Sequence, residues 1–348
     1  MNKSTFLLMD GHNLFHRMIH QVNPAAGIDG MIGLSFHLML YSLKKEWNRF
    51  NGTHAVFFTE GYSWRYDIYK DYKKSRKVIF AQKTEKEKED RDLLTEAFDD
   101  LVEFLDQKTN MTVLQNPRAE ADDMIATWIR LHPDDDHILI SSDSDFYQLL
   151  APNVKIYDPV KDILLTDVGI TDDRDKNLSF VVKDGKISSP KVDPNFKPEK
   201  DWFRYALFMK IIRGDTSDYI FSAYPGIREK GTKDKIGIRE AYNNQDVKGF
   251  DWNNFMNQSW VDIDQKTHIV KDLYERNRIL IDLTAQPDSV KESCENIIVN
   301  QVSRKNISAP NIGMAFLQFC TRWNLPKISN NAQQFTPLFN SKYYQDLE

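Results

Sequence analysis

Ala119-Glu120-Ala121-Asp122-Asp123-Met124-Ile125 and His137-Ile138-Leu139-Ile140-Ser141-Ser142-Asp143-Ser144-Asp145 decide how this chain is read. Each joins an acid cluster to an apolar run. The second run is short, partly β-branched and ends in Ser-Ser-Asp, the pattern of a buried strand with acids at its carboxyl end. The first cluster precedes Met124-Ile125-Ala126-Thr127-Trp128-Ile129, so its acids fall in the opening turn of an amphipathic helix. Carboxylates gathered at a strand end and a helix start repel unless a cation lies between them. A divalent-metal site is the first expectation.

Working outward, Thr5-Phe6-Leu7-Leu8-Met9 is another buried strand, and it presents Asp10 at its carboxyl end. Ligands of open parallel sheets bind at such ends. Thr53–Phe58 is a further strand, with Glu60 in the place that Asp10 holds on the first. Ile32–Phe50 has helical periodicity, as does Leu93–Leu105, while Met111–Leu114 and Asn153–Tyr157 read as short strands. This strand–helix order describes an α/β sheet. A third acid pair, Asp215 and Asp218, lies in Gly214-Asp215-Thr216-Ser217-Asp218, spaced to face one point on a turn.

The cations are placed differently. Ser63–Lys77 interleaves Trp64, Arg65, Tyr66, Tyr69, Tyr72, Lys73, Lys74 and Arg76. On one helix these make a basic face with stacking surfaces, suited to phosphates and unstacked bases. Gln82–Arg91 has no strongly apolar residue and reads as a mobile loop or an exposed, charge-alternating helix over the site. Pro225–Lys235 is a Gly/Lys-rich turn ahead of a helical pattern, and backbone amides at such a turn can hold a phosphate. Asp158–Lys200 reads as an excursion from the sheet, with a hairpin turning at Asp184-Gly185 and no chemistry of its own.

The chain has 348 residues, 41% hydrophobic and 28% charged, with a formal net charge of −5. That length accommodates an α/β domain and a smaller helical one. No apolar run is read as approaching the ~18 residues that span a bilayer. The two cysteines, Cys294 and Cys320, read as free thiols of a reducing compartment. The acidic balance argues only weakly against nucleic acid, because an acid cluster lowers net charge while basic stretches lie elsewhere.

Asp10-Gly11-His12-Asn13-Leu14, Glu120-Ala121-Asp122-Asp123, Ser142-Asp143-Ser144-Asp145-Phe146 and Gly214-Asp215-Thr216-Ser217-Asp218 stand in the order found in the 5′-nuclease (flap endonuclease) superfamily. Trp64-Arg65 followed by Tyr72-Lys73-Lys74-Ser75-Arg76 resembles the basic helix that leads into that family's arch. The likeness runs from about Phe6 to Leu283, and within the superfamily it is nearest to the ribonuclease H branch of T-even-type bacteriophages. The resemblance implies a PIN-like α/β fold: a mixed, mainly parallel sheet flanked by helices, with a helical arch and a C-terminal helical DNA-binding region. It divides the chain into an α/β nuclease core over 1–157 with the arch at about 63–92, and an insertion over 158–200. A helix–three-turn–helix-like region with the last acid pair follows over 201–250, then a helical region over 251–348.

The same resemblance implies a 5′→3′ exonuclease and flap endonuclease acting on DNA and RNA–DNA duplexes, with two Mg²⁺ ions that Mn²⁺ can replace. By motif position Asp10, Glu120, Asp122 and Asp143 surround the first ion, and Asp123, Asp145, Asp215 and Asp218 the second. Lys73 and Arg76 face the scissile phosphate. Arg65, Tyr69, Tyr72, Lys74, Arg228, Lys230, Thr232 and Lys233 are the expected nucleic-acid contacts. A monomer in the cytoplasm, removing primers and flaps during phage replication, with a single-strand-binding protein or sliding clamp as partner and no membrane, completes the expectation. Two other classes stay open on the residues alone: a catalytically silent DNA-binding protein of the same fold, and a metal-dependent small-molecule phosphatase.

Overall fold

Five strands with apolar centres and polar ends lie parallel in the order β3-β2-β1-β4-β5: β1 (Thr5–Asp10), β2 (His54–Thr59), β3 (Thr112–Gln115), β4 (Asp136–Ile140) and β5 (Val154–Asp158). The computed structural model describes residues 3–302 and 305–343; the side chains of Lys77 and Ser189 lie outside the described set. Because side chains alternate across a strand, β1 sends Phe6 and Leu8 to one face and Leu7 and Met9 to the other. Both faces are covered, which is why these strands read as continuous apolar runs.

On the Leu7/Met9 face lie α1 (Gly11–Gln21), α2 (Gly27–Phe50) and α5 (Glu85–Lys108), with α12 (Ala309–Arg322), α13 (Pro326–Ser329) and α14 (Thr336–Phe339) packed against them. On the other face lie α6 (Ala121–Leu131) and α11 (Asp288–Gln301). Between β2 and α5 the chain forms two short helices, α3 (Arg65–Ile68) and α4 (Lys74–Ala81). A third cluster joins α7 (Trp202–Arg213), α8 (Ile238–Asn243), α9 (Phe250–Met256) and α10 (Val270–Ile281), with Tyr72 buried among them.

Two expectations are corrected. Residues 158–200 are not an excursion. β6 (Ile163–Thr166), β7 (Gly169–Asp172), β8 (Asn177–Lys183) and β9 (Lys186–Val192) continue the sheet antiparallel from β5 and make it nine-stranded. The hairpin reading itself holds: Asp184 and Gly185 connect β8 to β9 with φ of 49° and 78°, the left-handed pair of a type I′ turn. Pro24–Phe50, moreover, is long and apolar enough to cross a bilayer by length and composition. In this fold it carries α2, whose Phe36, Met39, Leu40 and Leu43 are buried in the core. A small hairpin of β10 (Ser259–Val261) and β11 (Thr267–Ile269) stands apart from the main sheet.

Candidate active site

The carboxyl ends of β2, β1 and β4 are neighbours, so whatever residue follows each strand joins a common row. Those residues are Glu60, Asp10 and the Ser142–Asp145 segment, and they line one cavity of about 940 Å³. Asp10 caps α1, its Oδ1 accepting the Asn13 amide at 3.2 Å. Glu60 reaches α6, where it accepts the Ala121 amide at 3.2 Å. Gly61 permits that approach: a Cβ there would stand 1.8 Å from the Asn116 carbonyl oxygen. Asp143 caps the short 3₁₀ helix Ser144–Leu149 and accepts the Asp145 amide at 3.0 Å. Glu120 and Asp122, at the start of α6, enter from the side, and Asp215 and Asp218 from the turn after α7.

This crowding shows in the ionisation of the acids. Burial, with Glu60 and then Asp143 nearby, holds the Asp10 carboxyl well above its ordinary value. Burial and the neighbouring Asp145 push Asp143 up to about 7. Burial raises Glu60, with Glu120 adding to it, and raises Asp122 well above the aspartate range in spite of Arg65. The remaining acids have cations of their own. Lys73 Nζ contacts Glu120 Oε1; burial opposes that carboxylate, but Lys73 and Arg65 overcome it and hold Glu120 below its usual value. Lys210 Nζ contacts Asp145 and lies 2.7 Å from Asp215. Against its own burial, Asp215 is held strongly down by Lys210. Arg76 Nη2 is 2.8 Å from Asp218.

The raised row, Asp10, Glu60, Asp122 and Asp143, in which only Asp122 has an ion pair among the described residues, to Arg65 at 3.6 Å, offers only carboxylate oxygens, the donors a hard divalent ion takes. Among the described residues no three His, Cys, Asp or Glu side chains converge closely enough to enclose an ion unaided. The donor set therefore fits an ion whose shell is completed by water or phosphate, as is usual for Mg²⁺.

Three expected roles are corrected by burial. Asp123, expected at the second ion, is fully enclosed and absent from the cavity lining. Its oxygens accept from Trp64 Nε1 at 2.9 Å, Arg65 Nη1 and Nη2 at 2.9 and 3.0 Å, Gln286 Nε2 at 2.8 Å and the Glu120 amide at 3.1 Å. Arg65, expected on nucleic acid, is 1% exposed and spends its remaining donors on Glu120 and the Leu280 carbonyl. Tyr72 is also buried, its hydroxyl lying between Glu120 at 2.8 Å and Asp218 at 3.0 Å with one proton to donate, so its ring is not open for stacking. The cause is local. Ser63–Lys77 is not one helix: Tyr69 is extended and Lys73 takes a left-handed φ of 51°. That break turns Tyr72 inward and points Lys73 and Arg76 at the acids.

Other calls fall as follows. Tyr69 is half-buried with the Arg276 guanidinium 5.0 Å from its ring centre. Lys74 is exposed and pairs with Asp71 at 2.9 Å. Gln82–Arg91 is helical from Glu85, where Thr84 and Glu87 form a capping box. Arg228, Lys230, Thr232 and Lys233 are exposed and lie outside the acid cavity. Several amides of that turn are already engaged, however. Glu240 Oε2 accepts from Gly231 N at 3.0 Å and Gly237 N at 2.9 Å, and the Thr232 amide donates to the Lys235 carbonyl at 2.7 Å. Sequence reasoning missed Lys210, whose signal was a lone cation inside Phe208-Met209-Lys210-Ile211-Ile212, and left Glu60 without a role. His12, His16 and His20, whose helical spacing reads as surface or groove-lining histidines rather than a metal site, line the cavity, and His12 Nδ1 accepts the Glu60 amide at 3.2 Å beside the acid row.

Residues 5–175 match the profile of the 5′-3′ exonuclease N-terminal resolvase-like domain. The front half of the chain therefore resembles the domain that this profile describes. A flap endonuclease Xni from Shewanella loihica is 29% identical over 177 residues, 50% of this chain and 61% of that protein. A 5′-3′ exonuclease from Mycoplasmopsis pulmonis is 31% identical over 233 residues, 66% of this chain and 65% of its own length. The chain thus spans under two thirds of the length of these relatives. Among solved structures, a complex of the bacteriophage T5 D15 flap endonuclease with DNA and metal ions shares the fold, with a TM-score of 0.55 at 20% identity. That alignment covers 85% of this chain and 98% of that one. The superfamily's mixed sheet with flanking helices is the architecture seen here.

Proposed function

We propose that this chain is a divalent-metal-dependent 5′→3′ exonuclease and flap endonuclease, hydrolysing phosphodiesters at 5′ ends of branched and nicked DNA and of RNA annealed to DNA. One observation carries the reading: an acid row at adjacent strand ends shares a single cavity with Lys73, Arg76 and Lys210. Asp10, Glu120, Asp122 and Asp143 would hold one ion, with Glu60 beside them, and Asp145, Asp215 and Asp218 a second. Bound there, two Mg²⁺ or Mn²⁺ ions supply the charge that activates water and stabilises the leaving oxygen in an in-line displacement.

The chain's own residues do the rest. The carboxylates fix the ions against the strand ends. Lys73 and Arg76, now paired with Glu120 and Asp218, turn to the non-bridging oxygens of an incoming phosphate and offset the charge that develops there. Tyr66, which lines the cavity beside them, offers the ring face for an unpaired 5′ nucleotide that Tyr72 does not. Exposed Arg228, Lys230 and Lys233 grip duplex phosphates through side chains. Primer and flap removal during replication, in a phage of the T-even type with a single-strand-binding protein or clamp at hand, is the task this activity suits.

Labelled flap, nicked and RNA–DNA substrates, incubated with and without Mg²⁺, test the proposal. Metal-dependent release of 5′ fragments is expected, and Asp143→Asn with Asp145→Asn should abolish cleavage while flap binding persists. Cleavage unchanged in that double variant, or none by the wild type on any substrate, overturns it.

A further inference from the structure

The sheet extension reaches the acid cavity. Asp158 ends β5, the next strand beyond β4 along the carboxyl edge, and its Oδ1 accepts the amides of Val160 and Lys161 at 2.9 and 3.2 Å. That turn sets Lys161 in the cavity lining. From farther out the β8–β9 hairpin folds back over α7. Gly185 at its tip has φ of 78°, and a Cβ there would lie 2.7 Å from the Cβ of Lys210. Asp184 pairs with Arg213 Nε at 3.2 Å, a second tie between the tip and α7. The turn therefore rests on the residue that contacts Asp145, and Lys186, the first residue of β9, enters the same cavity lining. Lys186 is exposed and has no ion pair among the described residues, and Lys161 has only a 3.4 Å contact to Asp158.

The sheet order fixes which side this is. Glu60, and the Lys73/Arg76 segment after it, follow β2, at one end of the acid row. Lys161 follows β5, at the other end. A phosphate seated over the acids has cations beyond it in both directions along the edge. We propose that Lys161 and Lys186 form a second phosphate-binding wall, contributed by the sheet extension, that holds the nucleic-acid backbone on the β5 side of the acids. The wall recognises backbone phosphates without reading bases, as point charges on flexible stems do. It rests on the nuclease reading for its ligand class. It also gives β6–β9 a role beyond packing against the core and α7.

The test is binding of a fluorescein-labelled 5′-flapped DNA duplex by anisotropy, in EDTA, across a salt series. Each phosphate contact contributes about 0.9 to the slope of log affinity against log salt on duplex DNA. Lys161→Glu and Lys186→Glu should each make the slope shallower by about that amount and weaken binding. Lys191→Glu, the same charge change on β9 outside the cavity lining, should leave both unchanged. If either Glu variant fails to fold, Lys161→Gln and Lys186→Gln carry the same expectation for slope. Slopes equal to wild type in the cavity variants, or equal losses in Lys191→Glu, overturn the wall. Wild-type cleavage of the same duplex with Mg²⁺ is measured alongside. Intact cleavage with unchanged slopes refutes the wall alone, whereas wild-type protein that neither binds nor cleaves refutes the nuclease reading and the wall with it.

Discussion

Asp123 is where the acid motif and the burial of its members part company, and one substitution separates the two roles. Its carboxylate has no exposed surface and accepts five hydrogen bonds, two of them from a guanidinium that is itself 1% exposed. Asp123→Ala removes one partner of a buried ion pair and leaves Arg65 with Glu120 at 2.9 Å and Asp122 at 3.6 Å as its remaining carboxylates. Breaking a buried pair from one side costs about 3–5 kcal/mol. Glu120 keeps part of the compensation, so the lower end of that range applies. The trapped Trp64 and Gln286 donors add to the loss.

A metal ligand would behave oppositely. Removing one acid from a crowded, metal-free row relieves repulsion, so stability in EDTA would hold or rise while ion affinity fell. Asp143→Asn should show that second pattern, since its carboxyl is already pushed up to about 7 by burial and by Asp145. Urea unfolding in EDTA, with Mn²⁺ titration by calorimetry, reads both quantities. The reasoning fails if Asp123→Ala unfolds at the wild-type midpoint and loses a bound Mn²⁺.

Three further outcomes follow from the same geometry. Asp10 and Asp143 are raised relative to the unfolded chain, so the native state holds their protons more tightly, and metal-free stability should fall as pH rises from about 4 to about 7; melting in EDTA across that window checks it, and a rising or flat profile from these groups would contradict it. Tyr72→Phe should cost about 1–3 kcal/mol by removing the one hydroxyl donor between Glu120 and Asp218, with flap affinity nearly unchanged, whereas Tyr66→Ala should weaken flap binding at little cost to stability; equal binding losses would restore Tyr72 as a stacking platform. Glu240→Ala should cost about 1 kcal/mol of capping and, by freeing the Gly231 and Gly237 amides, tighten duplex binding. Weaker or unchanged binding would show that those amides take no phosphate.

The parallel core was legible because each of its strands is buried on both faces and so had to be written in apolar residues, with the acids set at the ends. The sheet extension was legible only as a hairpin, because β6 and β7 have four residues each and antiparallel strands carry no mark of the strand they pair with. Nothing in Asp158–Lys200 states that its first strand pairs with β5 rather than standing alone. At the site, spacing located the acids, but it could not say which of three neighbours on α6 faces the cavity. Helical rotation sends Asp123 into the core and Asp122 toward the cavity, while their sequence context is nearly the same. The break at Tyr69–Lys73 escaped notice for a similar reason. A left-handed lysine has no compositional mark, and the alternating cations and aromatics suit one helix as well as two.

Arg65 has a meaning for how the chain can be divided. Its guanidinium belongs to the front half of the sequence, yet it donates to the Leu280 carbonyl, and Gln286 completes the shell of the aspartate it holds. The last described stretch does the same elsewhere: Ser341 Oγ accepts the amide of Ala55 on β2, and the Phe339 carbonyl accepts the amide of Asn110. The point where the family profile ends, at residue 175, is therefore not a seam. A front half cut free there would keep every acid but Asp215 and Asp218, and would carry a charged side chain walled into its interior with part of its wall gone. The α/β part and the helical part are one piece of engineering rather than two modules joined in line.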